Sequence, residues 1–306
     1  MARARAYRQT APPIGILDGM KVTVVGSVNL DLVISAERLP QPGETLTNAT
    51  FARHPGGKGA NQALAARLLG ADVTLLAAVG NDAFAGEALA LLRTNEVDLN
   101  KLVIQEDSPT GVAVIVVGEG GDNQIVVAPG ANRTLTGLAA DLDCDLLLAQ
   151  LEVPIETVLT TAGRVDAFFC LNAAPYREIP VELLQRTDLL VVNQVEYRQL
   201  GEAARSCRRY LAVTLGEEGA VLYERGVEVA RARPPAVQAI DATAAGDAFT
   251  SALAMALAEG LEVDRALEFG CAAGALATTK SGAQPSLPRR WEIEEILGWA
   301  RHQSDE

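Results

Sequence analysis

The segment "GANQALAARLLGADVTLLAAVG", Gly59 to Gly80, sets two periodicities side by side. From Gly59 to Leu69 small and apolar residues recur at helical spacing, and from Asp72 to Gly80 the run "DVTLLAAVG" reads as a strand buried on both faces. A similar β-branched run, "KVTVVGS" (Lys21 to Ser27), precedes it, so the order is strand, helix, strand. The alternation continues downstream. Ala83 to Thr94 reads as helix, "CDLLLAQ" (Cys144 to Gln150) as strand, Pro154 to Ala162 as helix, and "DLLVVNQ" (Asp188 to Gln194) and "LAVTLG" (Leu211 to Gly216) as strands. This pattern predicts an α/β fold with a central, mainly parallel sheet flanked by helices, and ligands at the carboxyl ends of its strands.

Residues 31–53 and 111–128 interrupt the alternation. They read as extended segments, and "GEGGDN" between "GVAVIVV" and "NQIVVA" has hairpin-turn chemistry. A small inserted antiparallel sheet, acting as a lid or a partner-binding edge, is expected there; an extra edge of the main sheet is the alternative. Small and apolar residues from Ala242 to Ala258 predict a tightly packed helix starting near Ala245, and "RRWEIEEILGWARHQSDE" predicts an amphipathic helix with a polar tail. Residues 1–20, with the breaker pair Pro12-Pro13, are expected to be a loosely held tail; residues 21–306 form a single domain with a discontinuous lid.

The chain has 306 residues, 49% of them hydrophobic, enough for a substantial core. Its formal net charge of −13 opposes binding to nucleic-acid backbones and anionic membranes. No apolar run reaches the roughly 20 residues that span a bilayer, and the N-terminus has no secretory apolar region, so a cytoplasmic location is expected. Cys144, Cys170, Cys207 and Cys271 stand singly and only His54 and His302 are present, which excludes a zinc cluster by spacing and predicts reduced core thiols.

Several clusters carry polar chemistry. In "GSVNLDLV", Asn29 and Asp31 follow a strand end, where they are either turn residues or groups facing a crevice. In "HPGGKGANQA", Gly56, Gly57 and Gly59 allow close backbone approach while Lys58 and Asn61 open a helix, which suits an anion site or a tight turn; it is not a GxxxxGK[ST] loop. "AQLEVP" puts Glu152 at a strand end. "VVNQVEYRQL" puts Asn193 and Glu196 on one face of a helix start, suited to ordering water around Mg²⁺ or to simple capping. "TLGEEGA" (Thr214 to Ala220) fits a nucleotide-phosphate turn or a hairpin. In "DATAAGDAFT" (Asp241 to Thr250), Ala244, Ala245, Gly246 and Asp247 would aim consecutive amides at an anion, with Asp247 either a first-turn helix stabiliser or a general base.

Taken in order, "GSVNLDLV", "PGET", "HPGGKGANQA", "PGAN", "NQVE", "TLG", "DATAAGDAF" and "KSGAQPS" resemble the ribokinase-like superfamily of sugar and nucleoside kinases, over about Lys21 to Leu297. The resemblance implies an ATP-dependent kinase whose lid covers a sugar and commonly forms a homodimer. It implies that Asn29, Asp31, Gly57, Lys58, Asn61 and Glu152 hold the sugar, that Asp247 is the catalytic base, and that amides from Ala244 to Asp247 form an anion hole. Asn193 and Glu196 would support Mg²⁺ through water. Thr214, Leu215, Gly216, Glu217, Glu218, Gly219 and Cys271 would border the nucleotide. Oxygens at Asp241, Thr243, Ala277, Lys280, Gly282 and Ser286 would surround a monovalent cation, usually K⁺, with Lys280 contributing its carbonyl.

Two departures from the family pattern stand out. Ala242 replaces a frequent threonine, a change expected to be tolerated because the loop works through its backbone. Only a short link, within "YRQLGEAARSCRRYLAVTLG", separates the Asn193 helix from the Thr214 loop, so one peripheral helix is expected to be trimmed. The resulting expectation is phosphorylation of D-ribose at its 5-hydroxyl. A kinase for deoxyribose, another pentose or a nucleoside, and a non-catalytic sugar-binding protein on the same fold, are the alternatives.

Overall fold

A computed structural model describes residues 19–118, 122–136 and 142–299. The expected tail at 1–20 lies almost wholly outside these residues, as do the centre of the "GEGGDN" turn and the end of the polar C-terminus.

The first half of the chain supplies strands β1 (Lys21–Val25), β2 (Asn29–Ala36), β3 (Thr50–Gly56), β4 (Asp72–Gly80), β5 (Leu102–Gln105), β6 (Gly111–Gly118), β7 (Asn123–Ala128) and β8 (Leu146–Gln150). Helices α1 (Lys58–Leu68), α2 (Ala83–Ala88) and α3 (Ala90–Thr94) lie among them. The second half supplies β9 (Phe168–Asn172), β10 (Leu189–Asn193), β11 (Tyr210–Thr214), β12 (Ala220–Glu224) and β13 (Val227–Ala232), with α4 (Ile155–Ala162), α5 (Val181–Arg186) and α6 (Gln194–Leu200). Then follow α7 (Ala245–Ala258), α8 (Val263–Ala277), α9 (Ala283–Ser286) and α10 (Arg290–Ile296).

Nine strands form one sheet in the order β13-β12-β11-β10-β9-β8-β1-β4-β5, parallel except for the antiparallel β12 and β13. Side-chain alternation explains the continuous apolar runs. Val22, Val24, Leu146, Leu148, Leu189 and Val191 face a core shared with α1, α7 and α8, while Val25, Leu147, Ala149, Leu190 and Val192 face a second core under α4 and α5. The chain moves from β1 outward to β4 and β5, then returns to place β8 on the other side of β1. That reversal makes a crevice at the carboxyl ends of β1 and β8, the position where open α/β sheets take ligands.

Strands β2, β3, β6 and β7 form a separate four-stranded sheet, in the order β3-β2-β6-β7, and not an extra edge of the main one. The expected inserted sheet is there, with one refinement: β2–β3 and β6–β7 are antiparallel pairs, but β2 and β6 between them run parallel. Strand geometry covers only Asn29–Ala36 and Thr50–Gly56 of the first segment.

The helix expected at Ala83–Thr94 is split at Leu89, and β5, β9, β12, β13, α5 and α8 were not anticipated. Between α6 and β11 the chain makes only a 3₁₀ segment, Gly201–Ser206, as the trimmed link suggested. All four cysteines are free; Cys170 and Cys271 are buried, Cys144 and Cys207 half-buried.

Candidate active site

Backbone approach builds a crevice at the carboxyl end of β1. Gly57 caps α1 with φ 88°, and a Cβ there would stand 2.7 Å from the Asn29 amide nitrogen and 2.9 Å from the Ser27 carbonyl, so only glycine lets the start of α1 lie against the end of β1. Gly59 meets Gly26 in the same way. This contact delivers the Lys58 amide to Glu152 Oε2 at 3.1 Å, and the Ser27 hydroxyl donates to the same oxygen. Asn29 and Asp31 leave β2 on the same side, both buried; Asn29 Oδ1 accepts from Asn132 Nδ2 at 2.8 Å.

Asp247, in the first turn of α7, is buried and takes two side-chain donors: Asn61 Nδ2 to Oδ2 and Gln62 Nε2 to Oδ1, each at 2.9 Å. Gln62 is itself held by Gln150, whose Nε2 donates to Gln62 Oε1 at 2.6 Å. Asn61 Oδ1 is buried with no partner, an acceptor whose hydrogen-bonding capacity is unused. Sequence reasoning missed Gln62, Gln150, Ser27 and Asn132. Gln62 adjoins Asn61 in a quoted motif, yet neighbouring helical residues do not share a face, so nothing in the spacing linked both to one carboxylate.

The electrostatics are set by crowding. Burial, then the negative charges of Glu152 and Asp247, push Asp31 up to about 7 against the opposing pull of Lys58. Burial works against the charge on Lys58, but Asp247, Glu152, Glu196 and Asp31 together hold it above the ordinary lysine value. The sign of the Asp31 effect follows from proton binding. Between its ordinary value near 4 and about 7 the folded chain holds a proton that the unfolded chain has released, so this group's contribution to stability declines as pH rises through that window and is fully lost above it. Asp31→Asn is therefore expected to raise the unfolding free energy of the unliganded protein at pH 8, by up to about 4 kcal/mol, and to change it little at pH 4. Urea titrations at the two pH values check this; equal effects at both would show that burial of the charge is not the cause.

The segment expected to form an anion hole starts in a left-handed turn. Ala244 sits at φ 61°, ψ 5° as the N-cap of α7, which turns the amides of the first helical turn toward the crevice. A channel of about 200 Å³ is lined by Lys58, Asn172, Asn193, Glu196, Gly246 and Asp247, among others. It adjoins a cleft of about 500 Å³ bordered by Thr214, Gly216, Glu217, Gly219, Ala245, Gly246 and Cys271. Thr214, Ala242 and Gly246 line both. Pro234 to Val237, Ala239, Phe249, Gly274, Ala275 and Thr278 also line the larger cleft and were not anticipated. Leu215 and Glu218 are not among its lining residues. Leu215 follows Thr214 on alternate sides of the chain and packs against the second core, opposite the cleft. Burial pushes the Cys271 thiol up to about 12, making it an inert wall.

Asn193 and Glu196 form a full capping box: Asn193 Oδ1 accepts from the amides of Val195 and Glu196 at 2.8 and 2.9 Å, and Glu196 Oε2 accepts from the Asn193 amide at 2.8 Å. Capping and channel lining coexist here. The box uses one carboxylate oxygen and fixes the other beside the channel, where burial raises the Glu196 carboxyl. No group of three or more His, Cys, Asp or Glu side chains among the described residues forms a metal cage. A hard cation held by phosphate oxygens and water fits this donor set, with Glu196 as the outer partner.

Beside α7, Asp241 organises a second loop. Its Oδ1 accepts from the Thr243 amide at 2.9 Å and hydroxyl at 2.5 Å, and its Oδ2 accepts from the Gly282 amide at 2.8 Å. Burial alone would raise its carboxyl; these donors, with a smaller pull from His54, hold it below the usual range. Lys280 Nζ turns away to Glu292 at 3.4 Å, and no described backbone N–H donates to the carbonyls of Ala277 or Lys280. Carbonyls left free around a carboxylate fit a monovalent cation. Ser286 donates its hydroxyl to the Ala283 carbonyl, which leaves its oxygen able to accept.

A helix start whose amides open between a nucleotide-sized cleft and a crevice of buried carboxylates and amides defines a phosphotransferase acting on a small hydroxylated acceptor. The profile of the pfkB family carbohydrate kinases matches residues 20–290, and the chain belongs to that family. It is 36% identical over 291 residues to the ribokinase of Bacillus subtilis, covering 90% of this chain and 99% of that one. The crystal structure of the ribokinase from Thermotoga maritima superposes with a TM-score of 0.83 at 32% identity, covering 91% of this chain and 99% of that one. The structure of Arabidopsis thaliana ribokinase complexed with ribose and ATP gives 0.81 at 29% identity, with coverage of 91% and 99%.

Proposed function

We propose that this carbohydrate kinase transfers the γ-phosphoryl group of ATP to the 5-hydroxyl of D-ribose. The observation that carries the reading is the placement of Asp247, which stands at the mouth of the α7 amides and is held by Asn61 and Gln62 on the side of the crevice that Asp31, Asn29 and Glu152 enclose. Sugar-binding kinases whose names specify ribose align over nine-tenths of this chain, which supports ribose as the acceptor.

In this reading Asp31 and Glu152 accept hydrogen bonds from sugar hydroxyls and Asn29 and Asn61 fix the ring. Asp247 takes the proton of the 5-hydroxyl as its oxygen attacks, and the amides from Ala244 to Asp247 receive the charge that develops on the phosphoryl oxygens. Lys58 and Glu196 border the path between acceptor and nucleotide. When bound, Mg²⁺ supplies charge neutralisation on the phosphates, and Glu196 with Asn193 would hold its water. Oxygens at Asp241, Thr243, Ala277, Lys280, Gly282 and Ser286 would hold K⁺, so that the Asp241–Thr243 hydrogen bonds keep the anion-hole loop in place. The exposed apolar residues of the lid, Phe51, Val114, Ile125, Val126 and Val127, support a homodimer through that sheet; sedimentation of a monomer at micromolar concentration would remove this part.

The test is ADP release over a panel of D-ribose, 2-deoxyribose, other pentoses and nucleosides, with Mg²⁺ and with or without K⁺. Ribose is expected to give the highest kcat/KM, with K⁺ stimulating it. Turnover favouring deoxyribose or a nucleoside would reassign the acceptor, and no turnover with any of them would leave a sugar-binding protein.

A further inference from the structure

His54 has no role above beyond a smaller pull on Asp241, yet it stands where the lid meets the cation loop. It lies on β3, directly opposite Asp31 in the antiparallel β2–β3 register, so both side chains leave the same face of the lid. Its ring is half-buried against Gly282: a Cβ built at that glycine would stand 3.1 Å from His54 Nδ1, 3.4 Å from Cγ and 3.5 Å from Cε1. Helix α9, which starts at Ala283, packs on β3 and on α1. Gln284 on α9 is buried with neither amide atom paired, so this seam has hydrogen-bonding capacity that the present arrangement leaves unused. From Gly282 a short relay leads to the reaction centre. The Gly282 amide donates to Asp241 Oδ2, Asp241 Oδ1 holds both donors of Thr243, and Thr243 immediately precedes the left-handed Ala244 that opens α7.

We propose that His54 is a positioning residue that couples the sugar-bound position of the lid to the cation loop, so that sugar and K⁺ each tighten the binding of the other. The inference rests on the reading of Asp241 to Ser286 as a monovalent-cation site. Its physical basis is steric. Gly282 takes φ 85° and has no side chain, so the imidazole rests on its backbone, and a shift of β3 on sugar binding must either keep or withdraw that support. Withdrawal frees Gly282 and with it the N–H that orients Asp241. Because binding free energies are linked, the factor by which D-ribose changes K⁺ affinity must equal the factor by which K⁺ changes ribose affinity.

The experiment measures half-saturation by K⁺ from thermal-shift titrations at constant ionic strength, choline replacing K⁺, with and without saturating D-ribose and without nucleotide. Ribose affinity is measured by calorimetry at zero and saturating K⁺. In the wild-type protein each ligand is expected to tighten the other at least about fivefold. In His54→Ala the factor is expected to fall below about twofold while each ligand alone binds within about threefold of wild type, and His54→Phe, which keeps a flat ring on Gly282, is expected to restore most of the coupling. A coupling factor unchanged in His54→Ala overturns the inference, as does wild-type protein in which K⁺ and ribose bind independently. If K⁺ fails to stabilise the wild-type protein with or without ribose, the cation-site reading falls and this inference with it; binding of K⁺ without coupling overturns the inference alone.

Discussion

Asp247→Asn is expected to preserve the fold and ribose affinity while lowering turnover by about 10²–10⁴, the usual contribution of a positioned general base. The amide is nearly isosteric, but it exchanges one acceptor oxygen for a donor facing Asn61 and Gln62. Those neighbours do not respond equally. Gln62 is fixed because its Oε1 already accepts from Gln150, whereas Asn61 has an Oδ1 with no partner and can turn that oxygen toward the new NH₂. The variant can therefore keep both contacts at position 247, with Asn61 Nδ2 moved to where Oδ1 now stands unpaired, and an unchanged melting temperature would show that a loss of activity reports on proton transfer and not on collapse. Steady-state kcat and KM for ribose, with the melting temperature, check this. A variant within tenfold of wild-type kcat would remove Asp247 from the role of base. A fall in kcat/KM carried entirely by KM would make it a sugar ligand only.

The legibility of the sequence followed the range of the interactions involved. Strands buried on both faces, such as β1, β4, β8 and β10, declared themselves as continuous apolar runs, and α1 and α7 declared themselves through spacing and small residues. The strand β9, "FFCLN", was overlooked although it lies in the middle of the sheet, because five residues between two loops carry no periodicity that separates strand from buried helix. The antiparallel strands β12 and β13 were hidden for a different reason. "TLGEEGA" both borders the larger cleft and forms the hairpin loop from β11 to β12, and the sequence offers these as competing options.

The same division holds at the site. Asn193 and Glu196 could be read as a pair because their partnership is local, three residues apart on one helix. Asp247 and Gln62 are 185 residues apart, and Ser27 and Glu152 are 125 apart; only folding brings them together. Motif order identified one member of each pair and left the other as ordinary polar sequence. Ala242 illustrates the opposite case. Its departure from the common residue type was expected to be harmless because the loop acts through its backbone, and its carbonyl does accept from the Ala245 amide at 3.2 Å.

Lys58→Met is expected to have the second large effect, and its pH dependence separates charge from packing. Lys58 stands in the field of Asp247, Glu152, Glu196 and Asp31, and its removal leaves those carboxylates without that cation. Breaking a buried charge set from one side typically costs about 3–5 kcal/mol, so the variant is expected to lose roughly that much stability at pH 8. The lysine's own titration does not shape the curve: its folded pKa lies above the ordinary value, so its contribution is fully present below about 10.5. The carboxylates do shape it. Without the opposing pull of Lys58, Asp31 should titrate above its present value of about 7, and a proton on that group then replaces the missing positive charge. The stability deficit is therefore expected to shrink as pH falls from 8 toward 5, because Asp31, titrating higher in the variant than in the wild type, gives the folded variant the larger gain from proton uptake. Urea unfolding at the two pH values measures it, and a deficit of equal size at both would assign Lys58 to packing alone. Turnover offers a second check. Lys58 lines the channel with Glu196, Gly246 and Asp247, so loss of its charge is expected to lower kcat by about 10²-fold or more at every pH where the variant is folded, even at pH 5 where protonation has restored much of its stability. A proton held on Asp31 can neutralise that carboxylate, but it cannot supply positive charge to a phosphoryl group passing the first turn of α7.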